Sequence, residues 1–242
     1  SSANNIVLVE SGKQYKVLTL TDCFEYDEQT YNYYGSYSFT GTKIEQAVVT
    51  AILNVTTDDK VVVDMIKGNN EQDYSSLKTL LENNAYQVNE VSLATGDFDS
   101  NAKIAIMYAP SVDLDEKIVE KLSTWLSNDG KYGRSLIYVP TADMGEMPNL
   151  DDFLKEWGMS IDRGYVFETD ESTLVSASSP YAFTVSYGDY YKDNLKNSKI
   201  PVVVSESHAV NITDENTAHA LLKTSDKAGV LPIDADKNWD YK

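Results

Sequence analysis

An α/β fold with a mainly parallel sheet is what this sequence predicts, and three observations predict it. Val61-Val62-Val63-Asp64-Met65-Ile66 is a nearly continuous apolar run, as expected of a strand covered on both faces. Between residues 60 and 140, runs of this kind alternate with segments of helical periodicity, which implies strand–helix units on a shared sheet. Ahead of them, Ile44, Ala47, Val48, Ala51, Ile52 and Val55 recur at the spacing of one helix face, which suits a helix docked on a sheet.

Taken in chain order, Ile6 to Val9 and Tyr15 to Leu20 flank Gly12 and read as a β-hairpin. Residues 24–41 are rich in Tyr, Asp, Ser and Gly and read as a loop or irregular edge. Thr42 and Glu45 have capping-box spacing at the start of the amphipathic helix. After the first core strand, a helix from about Asp73 to Asn83 is expected to bury Tyr74, Leu77, Leu80 and Leu81. The second and third strands are expected at Gln87 to Leu93 and Lys103 to Ala109. Asp113 and Glu116 then have the spacing of a cap pair, before a helix that turns Leu114, Ile118, Leu122, Trp125 and Leu126 inward. Gly130 suits its end, and Ser135 to Val139 is the fourth strand. Asn149 is read as the cap of a short helix with Leu150, Phe153, Leu154 and Trp157 on one face, closed by Gly158. The remainder is β-rich, at Tyr165–Phe167, Ala182–Ser186, Val202–Val204 and Ala220–Leu222. The chain thus divides into a hairpin and helix (1–58), an α/β core (59–160) and a β-rich extension (161–242), expected to form one compact unit. Right-handed crossovers place the four core strands in the order second, first, third, fourth.

Composition narrows the function. Of 242 residues, 42% are hydrophobic, enough for a proper core, and the formal net charge is -18. A nucleic-acid surface needs clustered Lys and Arg, so a polyanionic partner is excluded, and anionic membrane surfaces are disfavoured. Cys23 is the single cysteine, which leaves no intrachain disulfide or thiolate zinc knuckle and reads as a small buried hydrophobe. No run of about 18 apolar residues is present. Both ends are polar and read as trimmed from a longer protein, so a membrane attachment would lie in segments outside this sequence.

In an open parallel sheet, ligands sit beyond the carboxyl ends of the strands. Three loops lie there: Lys67-Gly68-Asn69-Asn70-Glu71, Pro110-Ser111-Val112 and Pro140-Thr141-Ala142-Asp143. Gly68, Asn69, Asn70, Glu71, Pro110, Ser111, Thr141 and Asp143 are therefore the candidate ligand- or partner-binding residues. With the strand order reversing between the first and third strands, a crevice is expected between Gly68–Glu71 and Pro110-Ser111. Asn69, Asn70 and Glu71 at a helix start would suit a neutral polar ligand or a protein loop. No phosphate-binding loop, dinucleotide fingerprint, nucleophile elbow or His-Glu-x-x-His spacing is present, so no catalytic residue, metal or cofactor is assigned. The many carboxylate pairs follow from composition, and Trp125 and Trp157 fit buried helix faces better than a sugar-stacking surface.

The order of these pieces resembles a known family. Phe39-Thr40-Gly41 precedes the first long helix, and Gly68-Asn69-Asn70-Glu71 closes the first core strand. Tyr108-Ala109-Pro110 follows the third strand, Asp129-Gly130 precedes the fourth, Pro148-Asn149-Leu150 opens the next helix, and Leu221-Leu222-Lys223-Thr224-Ser225 comes late. Over about residues 12–232 the sequence is similar to the extracytoplasmic region of GldG-like proteins, the auxiliary components of uncharacterized or gliding-motility-associated ABC transport systems. The resemblance implies a flavodoxin-like or class I glutamine amidotransferase-like core. It also implies a tether to the extracytoplasmic face of a bacterial membrane, with an ABC permease and ATPase as partners. Where that family has Gly-His-Gly-Glu, this sequence has Asn69 and Asn70, and it lacks a cysteine at a nucleophile elbow. Both departures count against catalysis. A non-enzymatic accessory domain is the leading expectation. A stand-alone small-molecule or saccharide receptor is the alternative, and a hydrolase uniting Glu71, Ser111 and His208 the remote one.

Overall fold

In the computed structural model, residues 6–141 and 144–236 are described. The chain forms two compact units that interleave in sequence. The first comprises residues 1–66, 73–106 and 130–137, and the second 67–72, 107–129 and 138–242.

The elements run as follows. A hairpin, β1 (Val7–Ser11) and β2 (Gln14–Leu18), turns at Gly12 and pairs in antiparallel register from Val7 opposite Leu18 to Ser11 opposite Gln14. Residues 24–41 are not the loop their composition suggests. After a short helix α1 (Leu20–Cys23) they form β3 (Phe24–Tyr26), helix α2 (Glu28–Tyr34) and β4 (Phe39–Thr42), with β3 and β4 antiparallel. Asp27 caps α2, accepting from the backbone N–H of Gln29 and Thr30, and Gly35 ends it in the left-handed conformation that a residue without Cβ adopts freely.

Helix α3 (Ile44–Thr56) packs on the hairpin through Ala47, Val48 and Ala51, which cluster with Leu18, Cys23, Val9 and Phe24. The lone cysteine is thus buried and free. The expected capping box is not formed: Lys43 is the N-cap and its side chain makes no cap bond, while Thr42 Oγ1 accepts from the Ile44 N–H at a long 3.5 Å. Ile44 and Ile52 are exposed rather than inward. Ile44 is the first helical residue, and Ile52 lies about 100° of helical rotation from Ala51, at the flank of the packed face.

The core strands follow: β5 (Val62–Ile66), helix α4 (Ser75–Asn83), β6 (Gln87–Val91) and β7 (Ala102–Tyr108). Every residue of β5 is buried, as its continuous apolar run demands. Leu80 of α4 is exposed, contrary to the periodicity reading, and no residue of that helix is fully buried. Helix α5 (Glu116–Ser127) buries Ile118, Leu122, Trp125 and Leu126 and ends with Asn128 in the left-handed region; a 3₁₀ turn (Asn128–Gly130) precedes β8 (Ser135–Val139). The four core strands form a parallel sheet in the order β6-β5-β7-β8, the order that right-handed crossovers dictate.

Helix α6 (Pro148–Glu156) buries Leu150, Phe153 and Leu154. Asn149 is its second residue rather than its cap, and Trp157 is 38% exposed; the apolar repeat runs one residue past the helix it belongs to. Gly158, at φ 77°, follows the end of the helix where a Cβ would clash with Thr217 Oγ1. The rest of the second unit is built of short antiparallel pairs. β9 (Met159–Ile161) pairs with β14 (Val210–Ile212), and β10 (Gly164–Glu168) with β16 (Ala228–Pro232). β12 (Ser179–Tyr187) lies between β11 (Leu174–Ser176) and β13 (Val202–Ser205) and also pairs with β15 (Leu222–Lys223), with the short helix α7 (Asp189–Lys192) following it. The strand expected at Ala220–Leu222 is therefore shifted toward the C-terminus. Among the described residues, no helix is long and apolar enough to cross a membrane.

Candidate functional site

The loop after β5 turns sharply, with Gly68 at φ 118° and Asn70 at φ 54°. Its conformation is held from within. Both carboxyl oxygens of Glu71 face back into the loop and accept from the backbone N–H groups of Gly68 (3.0 Å) and Asn69 (3.0 and 3.1 Å). Glu71 therefore does not cap the following helix. Asp73 opens that segment instead, accepting from the Ser75 N–H at 3.0 Å.

The loop after β7 is fastened to the first one. The Asn69 carbonyl accepts from the N–H of Ser111 and of Val112, each at 3.1 Å. The buried Asn69 side chain donates to the Asp113 carbonyl at 2.9 Å. Asn70 Nδ2 donates to Ser111 Oγ, and Ser111 Oγ donates to the Asn70 carbonyl at 3.0 Å. Gln72 N–H donates to the Ala109 carbonyl (3.2 Å), and Ala109 N–H to the Val139 carbonyl (2.7 Å). Gln72 Nε2 completes the set by donating to the buried Thr141 Oγ1 at 2.8 Å.

The fold thus brings Gly68, Asn69, Asn70, Glu71, Pro110, Ser111 and Thr141 to one place. Asp143 lies outside the described residues, as does Trp239. Asn69, Pro110 and Thr141 are buried, Ser111 is half-buried, and Gly68 and Asn70 face solvent. The strand order does reverse between β5 and β7, but the loops expected to border an open crevice are bonded to each other across it. Ser111 bonds with Asn70, whereas Nδ1 of His208 lies 2.7 Å from the Gly164 carbonyl and its ring stacks on Tyr165. Glu71, Ser111 and His208 each have partners other than one another. Among the described residues, no group of three or more His, Cys, Asp or Glu side chains could hold a metal ion.

Two features of this region escaped the sequence. Ala109 is buried at φ 48°, a left-handed conformation uncommon for a residue other than glycine, asparagine or aspartate. Asp113 is not half of a cap pair for α5, which Asp115 caps by accepting from the Lys117 N–H. Its carboxyl group accepts instead from the N–H of Leu114, Asn149 and Leu150. Neither signal lies in local spacing.

Within β8, Tyr138 donates to Met144 Sδ at 3.7 Å. Burial, reinforced by Asp151 and opposed by Arg163, pushes its phenol up to about 12 from an ordinary 10.0. Because the folded-state value is raised, this contribution to stability is intact below pH 10 and is lost as pH rises through about 12. Urea unfolding from pH 9 to 12 is expected to show a smaller alkaline loss of stability in Tyr138→Phe than in the parent. Parallel curves would show that the phenol does not titrate differently on folding.

Comparison with known proteins places the fold but not the family. No family model matches this sequence, and no curated protein does. Among solved structures, the mmIFT52 N-terminal domain superposes with a TM-score of 0.52 at 12% identity, over 69% of this chain and 74% of that one. At that identity the likeness concerns the fold alone.

Proposed function

We propose that this chain is a non-enzymatic accessory domain of a membrane ABC transport system, held at the extracytoplasmic face of the cell membrane and working by binding a partner. The observation that carries the reading is the way the strand-end loops use their polar groups. Glu71, Asn69, Asn70 and Ser111 bond within and between their own loops, which makes a preorganised surface rather than a nucleophile beside a base. The order of sequence motifs, which resembles that of GldG-like proteins, supports the transport context. The observed strand order supports a flavodoxin-like core, whose order is 2-1-3-4-5 with its ligand site at the switch point. The exposed Gly68 and Asn70 then present the outer face of that switch point to a protein loop or a neutral polar ligand.

The test uses the full-length gene product, expressed with the ABC permease and ATPase encoded beside it. Co-purification of all three from detergent-solubilised membranes, with this domain open to externally added protease, is the expected result. A full-length protein that fractionates with the cytosol, or that has no permease and ATPase partner, overturns the proposal.

A further inference from the structure

The first unit carries an exposed aromatic surface on the segment that composition alone reads as a loop. Tyr31 and Tyr37 stack with centroids 4.6 Å apart and planes 17° apart, and Tyr37 and Phe39 stack at 5.8 Å and 8°. Tyr26 meets both Tyr31 and Tyr37 edge-on, which fixes the stack on β3, α2 and β4. On the same helix as Tyr31, Tyr33 and Tyr34 at the end of α2 are 87% and 79% exposed, with their rings 6.1 Å apart. Hydrophobic cohesion explains the stack, but among the described residues Tyr33 and Tyr34 have no ring contact beyond the one with each other.

The electrostatics of the same segment say what would cover them. From Val17 to Thr42 there is no lysine or arginine, while Asp22, Glu25, Asp27 and Glu28 all fall within it. Glu25 and Glu28 are exposed. Asp27 is held below the usual carboxylate range by hydrogen bonds from the Thr30 side chain and backbone, so it keeps its charge as it caps α2. Ring faces are themselves electron-rich, and a guanidinium stacks on them while its N–H groups reach carboxylates. A neutral sugar would use the rings but gain little from the carboxylates.

We infer that the Tyr31–Tyr34 surface, with Glu25 and Glu28, is a docking site for an arginine-containing basic polypeptide segment of a partner protein. The inference is independent of the transporter reading, since it rests on the first unit's own surface and charge.

The probe is a fluorescein-labelled peptide of alternating arginine and serine, titrated by anisotropy at two salt concentrations. Tyr33→Ala/Tyr34→Ala is expected to weaken binding about tenfold, since two exposed cation–π contacts are removed. Glu28→Gln should weaken it severalfold. Tyr33→Phe/Tyr34→Phe, which keeps the ring faces, should stay within about threefold of the parent. Asp58→Asn/Asp59→Asn changes charge in exposed residues outside the segment and should have less effect than Glu28→Gln. Unchanged thermal unfolding shows that each variant is folded; both tyrosines are so exposed that no loss is expected. The proposal is overturned if the alanine pair binds the peptide like the parent, or if all charge changes weaken binding equally. It is also overturned if neutral oligosaccharides bind in a Tyr33/Tyr34-dependent way while the peptide does not, or if the tyrosines instead mediate self-association in sedimentation.

Discussion

Replacing Asp64 by alanine is expected to cost about 3 kcal/mol of unfolding free energy, because it leaves two half-buried donors without their acceptor, at roughly 1–3 kcal/mol each. Asp64 sits in the middle of β5 and is completely buried. One carboxyl oxygen accepts from Asn89 Nδ2 at 3.1 Å, and Asn89 is its register partner on β6. The other accepts from the Asp99 N–H at 2.8 Å. Asp99 in turn shapes the connection from β6 to β7, accepting from the Asn101 N–H on its side chain and from the Ala102 N–H on its carbonyl. One side chain therefore ties the two strands and the loop between β6 and β7. Asp64→Asn keeps the volume but presents an NH₂ to one of the two donors, so it should recover only part of the loss. Asn89→Ala removes the other donor, and combined with Asp64→Ala it should cost less than the sum of the single changes. Urea unfolding measures the totals, and hydrogen exchange of the Asp99 amide isolates the local part. A loss under 1 kcal/mol with an unchanged Asp99 amide would show that the loop holds without this anchor.

That residue also marks the limit of what the sequence discloses. The run Val61–Ile66 announces a two-faced buried strand because its apolar side chains outnumber its one polar one, and the same run hides the role of Asp64, whose partners lie 25 and 35 positions away. Strand order followed from the short crossovers and their handedness, so the switch point between β5 and β7 was legible, and with it the two loops at that point, Gly68–Glu71 and Pro110-Ser111, although they were read as the two sides of an open crevice. How those loops spend their hydrogen bonds was not. It depends on backbone carbonyls, above all that of Asn69, and on left-handed conformations at Asn70 and Ala109. Residues 24–41 failed for a different reason. Their tyrosines pack on one another rather than on a sheet, so they show neither a period of two nor one of 3.6. The caps misassigned to α3, α5 and α6 share one cause: spacing identifies a residue able to cap, whereas the fold decides which helix end it meets.

Asp113 is the case in which that decision carries the most energy, and Asp113→Ala is expected to destabilise the second unit by about 2–3 kcal/mol. Helix α6 starts at Pro148 with Met147 as an N-cap that offers no side-chain acceptor. Proline at the first position has no N–H to satisfy, so the first-turn donors without an intrahelical partner begin with Asn149 and Leu150. Asp113, 36 and 37 positions earlier, supplies both, at 2.9 and 3.1 Å, and accepts from the Leu114 N–H at 2.8 Å. A local cap is worth about 0.5–2 kcal/mol, but Leu150 is only 1% exposed, and a buried N–H left unpaired adds about 1–3 kcal/mol. Asp113→Asn retains one oxygen and should lose about half as much. Asn149→Ala removes the reciprocal bond from Asn149 Nδ2 to the Leu114 carbonyl, 2.8 Å long, and should combine less than additively with Asp113→Ala, since both act on one junction. Asp115, which caps α5 itself, serves as the contrast: Asp115→Ala should weaken α5 while leaving the Leu150 amide protected from exchange. If Asp113→Ala costs less than 0.5 kcal/mol and the Leu150 amide exchanges as before, α6 is held by the packing of Leu150, Phe153 and Leu154 alone, and the long-range cap is not what fixes its N-terminus.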